Sequence, residues 1–126
     1  MKFGIDFHGV INKKPELFSA LSQALVMGDH QVHIITGPRR EKVAALLIEY
    51  KIAYTHFFSI VEHEEAKGTE IFWDSKGDPY MDMGIWKRAK AEYCKREGID
   101  LHIDDSGEYG DHFTTPFAHF KLNEGK

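Results

Sequence analysis

The chain has a single cysteine, Cys94, so it cannot close an internal disulfide. It also lacks any apolar stretch near the roughly 18 residues that a bilayer-crossing helix needs. Basic charge is not in surplus: 16 Lys and Arg stand against 20 Asp and Glu, for a formal charge of -4. That balance offers no broad nucleic-acid or anionic-lipid surface, and any phosphate the protein handles is expected to be met locally. Nothing at the N-terminus reads as a charged segment followed by an apolar signal core. The expected setting is soluble and cytoplasmic, with no membrane contact. Repeats, linkers and low-complexity tracts are missing too, and 126 residues suit one compact domain, 1–126.

What is present is an alternation of strand and helix patterns. Residues 2–6 form a short apolar run that stops at a carboxylate, the pattern of a buried strand delivering Asp6 to its C-terminal end. Residues 7–14 read as a turn. From Pro15 the apolar positions Leu17, Phe18, Leu21, Ala24 and Leu25 recur at helical spacing, up to a C-terminal cap at Gly28. Val32, Ile34 and Ile35 predict a second strand ending at Thr36, and Gly37-Pro38 predicts a helix start ahead of the stripe Val43, Leu46, Leu47 and Tyr50. A third strand is predicted over 54–60. Residues 62–82 lose periodicity and collect charge, Gly68, Gly77 and Pro79, which predicts a small loop or flap. Within it, residues 70–73 and 80–81 flank a hairpin turn at Ser75-Lys76-Gly77-Asp78. A third helix is expected over 83–97, placing Trp86, Ala89, Lys90, Tyr93 and Cys94 on adjoining parts of one surface. Residues 99–103 predict a strand ending at Asp104-Asp105, and a short last strand is expected over 117–122.

This alternation predicts an α/β fold, a three-layer Rossmann-like parallel sheet with helices on both faces. In such sheets ligands sit beyond the C-terminal strand ends, and Asp6, Thr36 and Asp104-Asp105 each fall where a strand stops. Carboxylates sharing one rim resist ionisation unless a cation sits among them, and oxygen-only donors suit Mg²⁺. A carboxylate can attack phosphorus to form an aspartyl-phosphate when a metal and a lysine absorb the phosphoryl charge. Asp6 is the candidate nucleophile. Thr36 and Gly37, at the predicted mouth of the second helix, are candidates to hold phosphoryl oxygens. Lys90 is preferred to Lys87 and Lys76 as the cation, because it lies four residues from both Trp86 and Cys94, on the side expected to turn inward. Arg39 either touches substrate or is an exposed first-turn arginine.

The segments Phe-Gly-Ile-Asp6-Phe-His8-Gly9-Val10-Ile11, Val-His-Ile-Ile-Thr36-Gly37, Lys90, and Leu-His-Ile-Asp104-Asp105-Ser106 resemble, in order, the four motifs of the haloacid dehalogenase-like (HAD-like) superfamily. The resemblance runs from residue 2 to about 106. It implies Asp6 as nucleophile and metal ligand, the backbone carbonyl at His8 as a second ligand, and Asp104 or Asp105 as a third. It implies Thr36 and Lys90 as phosphate holders; Gly9, Gly37 and Arg39 stand beside them as candidate substrate-site residues read from their positions in the chain. Mg²⁺ is the implied cofactor, and the implied substrate is a phosphomonoester, either a small molecule or an exposed terminal phosphate. The short interval from Asp6 to Thr36 leaves no room for a large helical cap, so the site is expected to be open except for what 62–82 covers.

His8 departs from the pattern, standing where the family has its second aspartate, the general acid and base. A histidine with an ordinary pKa near 6.5 can do that work around neutral pH. Beside a dication it would be a better base than acid. The expected function is an Mg²⁺-dependent phosphohydrolase acting through an aspartyl-phosphate. The alternative is a catalytically silent module that binds a phosphorylated ligand or partner, with a stalled enzyme between the two. A receiver-type phosphoacceptor fits less well, since its acidic pair follows the first strand and its lysine ends the last.

Plainer readings stand beside these. Asp6 can cap a turn, Thr36 can be a helix-start hydroxyl, and Asp104-Asp105 can be a solvated turn. His30 and His33 flank a strand start and His63 has no partner at ligand spacing, so no structural zinc is expected. Trp73 and Tyr80 either stack on a ring of the substrate or anchor the flap. Cys94 reads as core.

Overall fold

The computed structural model describes residues 1–123. In chain order the strands are β1 (Lys2–Ile5), β2 (Gln31–Thr36), β3 (His56–Ser59), β4 (Phe72–Trp73), β5 (Pro79–Tyr80), β6 (Leu101–Asp104) and β7 (Phe117–His119). The helices are α1 (Pro15–Met27), α2 (Arg40–Glu49), α3 (Ile60–Ala66), α4 (Met83–Glu97) and α5 (Gly107–Gly110). β4 and β5 pair antiparallel as a separate ribbon, while the other five strands form an all-parallel sheet in the order β3-β2-β1-β6-β7. The architecture is α/β and Rossmann-like, a parallel sheet flanked by helices. Among the described residues no helix is long and apolar enough to cross a membrane.

The central strands read as near-continuous apolar runs because both sheet faces are covered. On one face Ile5, Val32 and Ile34 meet Phe18 of α1 and Val43 and Leu47 of α2. On the other, Ile35 and Phe58 meet Ile60 of α3 and Ala89, Tyr93 and Cys94 of α4. Burying an aliphatic or aromatic side chain of this size is worth about 1.5–3 kcal/mol. The order of the strands reverses between β1 and β6. A crevice opens beyond the strand ends at such a reversal, and there Asp6 follows β1 directly while Asp104 closes β6.

Two segments differ most from the sequence expectation, and the last strand, expected over 117–122, already ends at His119. Residues 62–82 are not one loop, because α3 occupies their start. Ser59 Oγ accepts the Glu62 N–H at 3.1 Å, and a serine followed three residues later by glutamate is a helix-start signature. The predicted strand over 54–60 hid it, and the actual β3 is shorter. The remainder of the segment holds the ribbon, closed as expected around 75–78: Asp74 Oδ1 accepts the backbone N–H groups of Lys76 and Asp78, both at 2.9 Å. The second difference is that α2 begins at Arg40 and not at Gly37-Pro38. Glu62 Oε2 accepts the Arg40 N–H at 2.6 Å, so α2 takes its N-terminal cap from α3, a tertiary contact that no local pattern announces.

Candidate functional site

A cavity of about 400 Å³ lies over the strand reversal, lined by Asp6, His8, Gly9, Thr36, Lys90 and Asp105 among others. Asp6 heads the turn over Phe7–Ile11, whose backbone is non-helical at His8 and Gly9, and its Oδ1 accepts the Phe7 N–H at 2.8 Å. Lys90 Nζ lies 3.2 Å from the same oxygen and 2.8 Å from Asp104 Oδ2. All three side chains are nearly sealed from solvent. α4 brings Lys90 there on the side that also buries Cys94. Lys87 instead pairs with Glu108 at the surface, and Lys76 is exposed near the ribbon tip. Of the three candidate lysines, only Lys90 meets the carboxylates.

Burial pushes the Asp6 carboxyl up to about 7; Lys90 pulls against this and the neighbouring Asp104 adds to it. Burial alone would raise Asp104 as well, but the hydrogen bond from His102 and the charge of Lys90 hold it below the usual carboxylate range. Burial would lower Lys90, and Asp6 and Asp104 outweigh it, keeping the ammonium charged. One oxygen each from Asp6, Asp104 and Asp105 lies within 4.8 Å of the others, a group able to hold a cation.

The two adjacent aspartates divide the work. Asp104 Oδ2 accepts from Lys90 and from His102 Nε2 at 2.9 Å, and Oδ1 accepts the Ser106 N–H at 3.3 Å, so it is engaged from every side. Asp105, one residue past the strand, is exposed and faces the cavity. Its carboxylate occupies the space above Gly9, where an added Cβ would stand 2.0 Å from Asp105 Oδ2 on a backbone at φ +85°. Gly9→Ala is therefore expected to lower stability by about 1–3 kcal/mol through backbone strain and the displaced carboxylate. A urea midpoint equal to the wild type would place Asp105 elsewhere.

Thr36 ends β2 fully buried, and its Oγ1 has no hydrogen-bond partner. A buried hydroxyl left unpaired costs about 1–3 kcal/mol, which a ligand oxygen over the cavity floor would recover. The plainer reading of Thr36 as a helix-start hydroxyl fails, since α2 begins four residues later. The expected helix-mouth role of Gly37 is corrected for the same reason: the Arg40 N–H is already taken by Glu62. Gly37 instead shapes the floor, because a Cβ there would stand 2.7 Å from the Trp86 ring.

His8 is exposed at the cavity mouth, and burial of its ring together with the charge of Lys90 holds it below its ordinary pKa, hence neutral at pH 7. Arg39 does not line this cavity. Its guanidinium pairs with Glu65 and lies 4.6 Å over the Trp73 ring, at the edge of an adjoining cleft.

The sequence reading missed His102 and Tyr109. His102 lies two residues before Asp104 on the same face of β6, and that alternation was its available signal. Burial keeps its ring below the ordinary pKa and so neutral, with Nε2–H donating to Asp104. Tyr109 accepts from Trp86 Nε1 at 2.8 Å and sets its ring 5.1 Å from Lys90 Nζ. Nothing in its loop announced that role. No protein-family model and no curated protein matches the chain.

Proposed function

We propose that the chain is a HAD-like, Mg²⁺-dependent phosphohydrolase that cleaves phosphomonoesters through an aspartyl-phosphate on Asp6. One observation carries the reading: the Asp6 carboxylate, the Lys90 ammonium, the unpartnered Thr36 hydroxyl and the Asp104-Asp105 pair converge at the strand reversal. The four motifs, in order along the chain, supply those groups.

The donors fit Mg²⁺. All are oxygens, and the Asp6 carboxyl, pushed up to about 7 by burial, would ionise fully beside a dication. Asp6 and Asp105 would hold it from the cavity side, with Asp104 directly behind. Mg²⁺ bound there would neutralise phosphoryl charge and so let an anion approach a carboxylate.

The residues then have distinct tasks. Asp6 Oδ1 is held by the Phe7 N–H and Lys90, which leaves Oδ2 to attack phosphorus. The phosphorus–oxygen bond to the alcohol breaks, and the alcohol oxygen takes a proton from His8. Lys90 and Thr36 hold the phosphoryl oxygens meanwhile. Neutral His8 next takes a proton from a water whose oxygen bonds to phosphorus, and the bond to Asp6 breaks, freeing inorganic phosphate.

The lowered pKa of His8 makes it a ready base and a scarce acid at pH 7. Alkyl alcohols need the acid and aryl oxides do not. The ratio of alkyl to aryl phosphate turnover is therefore expected to rise as pH falls from about 8 to about 6, by up to tenfold per unit. His8→Ala should flatten it. Because Asp6 serves both substrates, its own titration cancels in the ratio, and a pH-independent wild-type ratio would remove His8 from the mechanism.

The direct test is phosphate release from an aryl phosphate by the folded protein, with Mg²⁺ and with EDTA. Release only with Mg²⁺ is expected. Saturable Mg²⁺-dependent phosphate-ester binding with no release from aryl or alkyl substrates would overturn the proposal and assign a binding module, the reading that the exposed, proton-poor His8 favours.

A further inference from the structure

We propose that the cleft beside the reaction cavity binds the leaving group of a nucleotide carrying a second phosphate besides the one removed. Which phosphate is cleaved rests on the phosphohydrolase reading; the binding itself does not. The cleft has a volume of about 480 Å³, within the roughly 300–1,000 Å³ of small-molecule sites. His8, Pro38 and Trp86 line both spaces, so the two are continuous. A group attached to a phosphate at Asp6 has a path past His8 into this cleft.

Its outer wall is the β4–β5 ribbon. The register pairs Trp73 with Pro79 and Phe72 with Tyr80. Since side chains alternate along a strand, each pair shares a face, and the Trp73–Pro79 face is the one that borders the cleft. Trp86 of α4 borders it as well. The chain has only two tryptophans, and both are here. Indole faces stack on bases with about 1–3 kcal/mol per base and little regard for which base it is. Trp73 already holds a planar cation, the Arg39 guanidinium, in that manner.

Charge indicates the second phosphate. Arg39, Lys42 and Lys76 line the cleft, with Asp78 the lining carboxylate. None of the three cations reaches the reaction cavity, where Lys90 and Thr36 serve the first phosphate. Arg39 is engaged by Glu65, but Lys42 and Lys76 make no ion pair among the described residues. Two lysines without an ion pair share this lining with one aspartate, a locally positive wall in a chain of formal charge -4, and that suits a phosphate.

Intrinsic fluorescence reports stacking directly, because both indoles border the cleft. The test titrates full-length Asp6→Asn protein, which binds without turnover, in Mg²⁺ with adenosine 3′,5′-bisphosphate, adenosine 5′-monophosphate and ribose 5-phosphate. The bisphosphate is expected to quench with a Kd at least tenfold below the monophosphate, and the monophosphate with one at least tenfold below the sugar phosphate. Lys42→Ala with Lys76→Ala should erase the first preference. Trp73→Ala should erase the second, and Trp73→Phe should restore it, which separates stacking from a collapsed ribbon. A trinucleotide with a 3′-phosphate distinguishes the sources: tighter binding than the bisphosphate assigns a nucleic-acid end, weaker binding a free nucleotide, and both keep the cleft's role. Equal affinity for bisphosphate and monophosphate, or for nucleotide and sugar phosphate, would overturn the proposal. Intact preferences in a protein that releases no phosphate from any ester would overturn only the hydrolase reading.

Discussion

Replacing Asp6 with asparagine is expected to reduce phosphate release roughly 10⁴-fold or more, the scale on which removal of a nucleophile acts, while making the metal-free protein more stable at pH 8. The loss follows from chemistry, since an amide oxygen cannot form the acyl phosphate. The gain follows from burial. In the folded chain Asp6 is pushed up to about 7 from an ordinary 3.8. A carboxyl raised on folding favours the fold fully below pH 3.8, and that contribution disappears as pH climbs through about 7. Above that pH the wild type carries an ionised, desolvated carboxylate that opposes folding by at most about 4 kcal/mol. Asparagine keeps an oxygen for the Phe7 N–H and removes the charge. Tm should therefore rise by about 5–15 °C at pH 8 without metal, and by almost nothing near pH 4. Mg²⁺ should narrow the difference by stabilising the wild type. A variant retaining a tenth of wild-type turnover would remove Asp6 as nucleophile, and one that melts lower than wild type at pH 8 would refute the electrostatic account.

Lys90→Met is expected to be the most damaging single change at the site. Lys90 sits between Asp6 and Asp104 at 3.2 and 2.8 Å, with side-chain exposures of 5, 7 and 0 %. Removing one partner of a buried ionic cluster costs about 3–5 kcal/mol, because the charges left behind stay desolvated and unpaired. Methionine preserves most of the volume, so the loss reads out charge rather than a cavity. Two remedies remain to the variant: protonation of Asp6 at low pH, and a dication among the carboxylates. Its urea midpoint should accordingly recover toward wild type at pH 5, and Mg²⁺ should raise it by more than it raises the wild type. A loss under about 1 kcal/mol, or equal responses to Mg²⁺, would show that Lys90 is not the counter-charge of this cluster.

Much of the site was legible in the order of residues. A buried parallel strand must be apolar and must stop where the chain meets solvent or ligand, so the polar residue ending each run marked the rim: Asp6, Thr36 and Asp104. Lys90 was readable from its distance of four residues to Trp86 and Cys94. Gly9 was placed beside the substrate, but its steric reason, the Asp105 carboxylate overhead, is invisible in one dimension. The different fates of Asp104 and Asp105 were equally hidden. They are neighbours in sequence, and only the end of β6 separates a fully buried anchor for Lys90 and His102 from an exposed carboxylate at the cavity.

The amino-acid sequence by itself determined the alternation of strands and helices, the parallel character of the sheet and the polar groups at its strand ends. Those depend on period, capping and turn chemistry, which act over a few residues. Only the tertiary structure decided that the strands reverse between β1 and β6, that Glu62 caps α2 and shifts its start, and that Arg39 turns to Glu65 and Trp73. Each of these joins residues more than twenty positions apart, through contacts that form only once the sheet order is set. The cleft between Trp73 and Trp86 is of the same kind: its walls belong to a ribbon and a helix that meet in space and share no local pattern.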